Sequence, residues 1–191
     1  RGAFQKATKD MGVEELRELL SLLGELGDQV LLVRVREPPN VQLQDLVTRP
    51  FRHYAQTDGA RFGTRNDARA FWQMRICDPE RCVAATSIHD SVRLNRELQD
   101  PISRYLEGEG RWQGVGGSWV VSFGPTSTAA RGAERSLPTL TADVGAFTRL
   151  WLGVLPASGL ALTGRMSGPA ELVRRLDETL LLPRPQPDWD F

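Results

Sequence analysis

Leu16, Leu19, Leu20, Leu23 and Leu26 recur on one face of a 3.6-residue period, which predicts a helix over 13–26 closed by Gly27. The stretch VLLVRVR (30–36) follows with Leu31, Val33 and Val35 on one side, the alternation of a strand, and Pro38-Pro39 ends it. The polar stretch 51–66 predicts a loop and a domain junction. ARAFWQMRIC (68–77) alternates Trp72, Met74 and Ile76 against Arg69, Gln73 and Arg75, a second strand pattern. Asp78-Pro79 opens a short helix through Ala85, since proline is tolerated in a first turn. Further strands are predicted at 91–98, with Val92, Leu94 and Leu98 inward, and at 118–123 and 137–141. Asp143 is placed to cap a helix bearing Val144, Phe147, Leu150 and Trp151, ended by Gly153. Gly168-Pro169 and Glu171 start a last helix with Leu172, Val173, Leu176 and Leu180 as its stripe. Strands followed by helices, without regular alternation, predict an α+β fold.

Composition narrows the function classes. The chain has 191 residues and 40% hydrophobic content, enough to bury a sizeable core. Basic and acidic residues balance at 24 each, which argues against nucleic-acid binding through a net positive field. No apolar run approaches membrane-spanning length, so no membrane partner is expected. Cys77 and Cys82 form a lone C-x4-C without a second ligand pair, so no metal is expected, and the thiols are read as reduced in a cytoplasmic protein. The chain begins at Arg1 and not at methionine, as a fragment of a longer protein would.

RWQGVGG (111–117) has the Arg-x-x-Gly-x-Gly spacing of an acetyl-coenzyme A pyrophosphate loop. Such a loop needs a strand before it and a helix after it, so that helix-start amides face the anion. Here DPISRYLEGEG precedes it and the strand-like SWVVSFG follows, so the glycines are read as a turn and no cofactor is assigned to this chain. His89-Asp90 with Ser87 offers hydrolase residue types, but neighbours on an extended segment face opposite sides. His53 is read as a solvated side chain, and the tryptophans and Phe147 as core. At the chain end, Pro183, Pro185 and Pro187 stiffen a tail that closes on Trp189 and Phe191. A chain-terminal carboxylate held against an apolar wall becomes a stronger base.

The blocks GDQVLLVRVREPP, FWQMRICDPERC, VRLNRELQDP, WQGVGGSWVVSFGP, LPTLTADVGAFTRLWLGV and PDWDF together resemble the C-terminal half of GNAT acetyltransferases of the enhanced-intracellular-survival (Eis) type. Those bacterial proteins join an acetyl-coenzyme A-binding GNAT domain, a GNAT-like domain without that site, and a sterol-carrier-protein-like domain. The resemblance implies that residues 1–67 are the end of the central GNAT-like domain with a linker. It implies that 68–191 form a sterol-carrier-like mixed sheet with helices packed on it. It places the acetyl-CoA site in an upstream domain of the same protein, so this portion alone is expected to be inactive. It also implies self-association into a homo-oligomer and an amine acceptor substrate. Phe191 would supply the C-terminal carboxylate as general base, with Trp189, Asp188 and Asp190 contributing to acceptor binding. The competing expectations are a sterol-carrier-like module that binds a lipid or other apolar ligand, and a purely structural assembly domain.

Overall fold

The computed structural model describes residues 4–6, 11–25, 33–35, 38–47, 74–106, 112–180 and 182–183. The chain divides into two compact units, Arg1–Pro38 with Gln42–Met74, and Pro39–Val41 with Arg75–Phe191. The domain boundary expected after residue 67 lies outside the described residues.

In the first unit, strand β1 (Phe4–Lys6) pairs in parallel with β2 (Val33–Val35), matching Phe4 to Val33 and Lys6 to Val35. Helix α1 (Val13–Glu25) connects them and buries Val13 and Leu16. The Glu15 side chain accepts a hydrogen bond from the Gly12 N–H at 2.9 Å, a reach back over the open first turn. Both predicted elements are therefore present, although Leu26 and Gly27 lie outside the described residues.

The second unit is built on a five-stranded sheet of order β5-β4-β3-β6-β7. Its strands are β3 (Val92–Gln99), β4 (Gly117–Phe123), β5 (Thr128–Arg131), β6 (Thr139–Asp143) and β7 (Met166–Ser167). β3 runs antiparallel to β4 and parallel to β6, so the sheet is mixed. Helices α2 (Pro79–Ala84), α3 (Val144–Trp151), α4 (Ala157–Leu162) and α5 (Ala170–Thr179) complete the unit. One buried cluster joins Leu94, Trp119, Phe123 and Leu140 of the sheet to Val83, Phe147, Leu160 and Leu176 of the four helices. The α+β class expected from the patterning is observed.

The caps explain where the helices begin. The Asp78 carboxylate accepts from the Arg81 N–H at 3.0 Å, and Asp143 accepts from the Ala146 N–H at 2.7 Å. Gly153 then turns the chain at φ 70°, its N–H donating to the Leu150 carbonyl.

Three expectations are corrected. Residues 74–77 are not a strand: the Ile76 N–H donates to Thr148 Oγ1 at 3.2 Å instead of joining a ladder, and Met74 is exposed. The strand expected at 137–141 starts at Thr139, because Leu137 and Pro138 belong to a loop held by Asn95. Pro169 stands at the cap of α5 and not within its first turn. β5, β7 and α4 were not expected. β5 has no alternation of its own and is defined by pairing with β4, and α4 packs glycine against backbone.

That last contact is close. A Cβ on Gly159 would lie 2.3 Å from the Asn40 carbonyl oxygen, a backbone atom with little room to yield. Gly159→Ala is therefore expected to lower stability by about 1–3 kcal/mol in urea unfolding. An unchanged midpoint would show that this approach is not tight.

Candidate functional site

Two charged centres organise the second unit. The first holds the glycine loop. Asp100 follows β3 and is 8% exposed. Its Oδ2 accepts from the Val115 N–H at 2.8 Å and from Arg75 Nη2 at 2.5 Å, and its Oδ1 accepts from the Ile102 N–H at 3.1 Å. Burial alone would raise this carboxyl, but the Val115 N–H, the Arg75 guanidinium and the Ile102 N–H outweigh it and hold it below its ordinary value. Arg75 in turn lies over the Trp112 ring at 5.7 Å, and Trp112 Nε1 donates to the Cys77 carbonyl at 3.2 Å.

This carboxylate gives the glycines their reason. Gly114 adopts φ +80°, and a Cβ there would lie 2.8 Å from Asp100 Oδ2. A Cβ on Gly116 would crowd Asp100 Cβ and the Leu98 carbonyl at 3.3 Å each. The loop then runs into β4, as the alternation of SWVVSF predicts, and not into a helix. Its Val115 amide faces an anion that the chain itself supplies.

The second centre is Arg96. It continues the inward series Val92, Leu94, Leu98 on β3, so the same period that buries the aliphatics buries a guanidinium, with 0% exposure. Across the sheet its neighbours in register are Trp119 on β4 and Leu140 on β6, and Trp119 is in turn matched to Arg131 on β5. Arg96 Cζ lies 4.0 Å from the Phe147 ring centroid and 5.5 Å from that of Trp119. Arg131 approaches the Trp119 ring to 4.2 Å. Rings thus provide the attraction that water would otherwise supply. Nε, Nη1 and Nη2 of Arg96 have no hydrogen-bond partner among the described residues. Burial first, and the Arg131 charge second, push the Arg96 pKa down to about 10, so the group remains a cation at neutral pH.

The sequence-predicted site residues fall as follows. Phe191, Trp189, Asp188 and Asp190 lie outside the described residues, as do His53 and Arg111. His89 and Asp90 are exposed, and Ser87 Oγ donates to the Pro125 carbonyl at 3.0 Å, which commits that hydroxyl to a turn. Cys77 and Cys82 are unbridged, and burial pushes the Cys82 thiol up. Among the described residues no cluster of His, Cys, Asp and Glu could hold a metal, and no helix is long and apolar enough to cross a membrane. Trp119 and Phe147 are buried as expected of core aromatics, whereas Trp112 is exposed and Trp151 Nε1 donates to Thr86 Oγ1 at 2.7 Å. A separate surface hollow of about 490 Å³ is lined by Ser91, Arg93, Ser122, Pro138, Glu171 and Arg175.

Arg96, Asp100 and Arg131 were missed by the sequence reading. For Arg96 the signal was present: a charged residue stands at an inward position of VRLNREL. Asp100 precedes Pro101 and reads as a turn residue; only the fold brings it to Val115.

This arrangement, a mixed sheet with helices gathered into one core, defines an α+β domain. Residues 109–187 match the family model of the sterol carrier protein domain. Solved structures with which this chain shares similarity include a GCN5-related N-acetyltransferase from Kribbella flavida, at 21% identity and TM-score 0.47, covering 58% of this chain and 26% of that protein. A probable N-acyltransferase from Enterococcus faecalis V583 is 22% identical with TM-score 0.43, covering 58% of this chain and 25% of its own. A GCN5-related N-acetyltransferase from Anabaena variabilis is 16% identical with TM-score 0.43, covering 56% and 25%. This chain therefore spans about a quarter of the length of each. No curated protein matches it in sequence.

The depressed Asp100 carboxyl predicts how stability depends on pH. A carboxyl lower in the folded than in the unfolded state stabilises fully above its unfolded value, and the contribution disappears as pH falls through the folded value. Asp100→Asn is expected to cost about 1–3 kcal/mol at neutral pH, and to flatten the acid limb of a stability–pH profile. An acid limb as steep as that of the parent protein would contradict the assignment.

Proposed function

We propose that this chain is the non-catalytic C-terminal portion of an Eis-like GNAT N-acetyltransferase, an enzyme that transfers acetyl from acetyl-CoA to an amine. The observation that carries the reading is the sterol carrier protein domain match over 109–187, set in an α+β unit with a mixed sheet. The six sequence blocks from GDQVLLVRVREPP to PDWDF support it, because they follow the family's order.

In this reading an upstream GNAT domain of the same protein binds acetyl-CoA. The residues present here do not fit the coenzyme's diphosphate: the Val115 N–H of the Gly-x-Gly turn is engaged by Asp100, and the segment continues as strand. The chain shapes the acceptor pocket and supports a homo-oligomer in the cytoplasm. The Phe191 carboxylate takes the proton from the attacking amine, Trp189 docks the tail, and Asp188 and Asp190 favour a cationic acceptor. A proton must also reach the departing thiolate, and the upstream domain supplies that acid.

The test is made on the longer protein that contains this chain. Deleting Phe191 is expected to lower kcat for acetyl-CoA-dependent amine acetylation by at least about 100-fold, the scale of a lost general base, with acetyl-CoA affinity unchanged. Unchanged turnover removes the role of the tail. An absence of acetyl transfer by the whole protein, together with co-purified lipid in mass spectrometry, would favour the apolar-ligand module.

A further inference from the structure

We propose that Cys77 and Cys82 form a two-thiol oxidation site, which a peroxide converts to an intramolecular disulfide across the first turn of α2.

The placement follows from the helix start. Asp78 caps α2 with extended backbone, at φ −142° and ψ 95°, so Cys77 stands just outside the helix and Cys82 is the fourth residue within it. Side chains at those two positions pack against each other at helix starts, the outer one folding over the first turn. The Cys82 N–H donates to the Asp78 carbonyl at 3.0 Å, which stacks Cys82 over the neighbour of Cys77. A helical side chain tilts toward the helix N-terminus, so the Cys82 thiol points back toward that neighbour. The groups that act on the Cys82 thiol include the Asp78 amide and the Cys77 thiol itself. Pro79, buried in the first turn, and the Asp78 bond to the Arg81 N–H hold this turn in place.

The two thiols differ as such a reaction requires. Cys77 is exposed, and its Sγ makes a long contact of 3.8 Å to the Arg75 carbonyl, which a side-chain rotation releases. Cys82 is half-buried, so it is the slower to meet an oxidant. The Cys77 sulfur attacks one oxygen of the peroxide, the O–O bond breaks, and Cys77 becomes a sulfenic acid as water leaves. The Cys82 sulfur then attacks Cys77 Sγ, the S–O bond breaks, and the hydroxide departs with the Cys82 proton as a second water. The two thiols together lose two electrons and two protons, which the peroxide gains. The Cys77 carbonyl accepts from Trp112 Nε1, and Arg75 holds Asp100, so the bond fixes the segment on which the glycine loop rests.

The experiment treats the reduced full chain, freed of reductant, with one equivalent of hydrogen peroxide at neutral pH. Intact mass and maleimide labelling of the unfolded product are expected to show a single chain that has lost two hydrogens and both free thiols. The oxidised protein is expected to melt roughly 3 °C above the reduced one, because the bond restrains the unfolded chain. Cys82→Ser should stop at the Cys77 sulfenic acid, captured as a dimedone adduct, and Cys77→Ser should keep Cys82 as a free thiol. A parent protein that retains both thiols, cross-links between chains or ends as a Cys77 sulfinic acid overturns the proposal. So does an oxidised protein that melts below the reduced one, since the fold would then hold the two sulfurs apart. Should either serine variant fail to fold, the mass and melting of the parent protein decide.

Discussion

The second unit is built around a guanidinium held by aromatic rings, with no counter-ion among the described residues. Arg96 sits on the central strand of the sheet, over Phe147 of α3 and beside Trp119 of β4. Strand register leaves it no other place. Shifting β3 by one residue would free Arg96 but expose Leu94 and Leu98 with it. The cost of burying the charge is therefore tied to the gain of burying its aliphatic neighbours. The cation–π contacts reduce that cost without removing it, because Nε, Nη1 and Nη2 have no hydrogen-bond partner among the described residues.

A second charge solves the opposite problem. At the end of the same strand Asp100 is nearly buried, but it accepts from two backbone amides and from Arg75. The glycines at 114 and 116 exist in this fold to let the chain approach that carboxylate. Within one strand and its first turn, the protein thus contains one buried ion that is fully met and one that is not. The asymmetry separates a carboxylate held by hydrogen bonds from a guanidinium held by aromatic rings.

Legibility from sequence followed the strength of local patterning. α1, α3 and α5 were readable because their apolar stripes and flanking residues agree, and Asp78 and Asp143 cap where their residue types suggest. β3 and β4 were readable by alternation. β5 and β7 were not, since a four-residue and a two-residue strand derive their conformation from neighbours rather than from their own pattern. The segment ending at Cys77 alternates well, yet its described end gives an amide to a threonine hydroxyl on α3, a tertiary partner invisible to periodicity. RWQGVGG was correctly read as a turn before a strand, but the carboxylate that shapes it is contributed by Asp100 before an intervening proline turn, beyond the reach of motif reading. Arg96 is legible by position, at the inward phase of VRLNREL, but its charge runs against the apolar pattern that marks a core strand.

The most direct measurement is the 1H–15N spectrum of the arginine Nε–H groups of the full chain. The account predicts that the Arg96 signal is shifted upfield by the Phe147 and Trp119 rings, exchanges slowly with water, and persists at neutral pH as that of a charged guanidinium. An Arg96 signal at the position and exchange rate of a solvated arginine would contradict it.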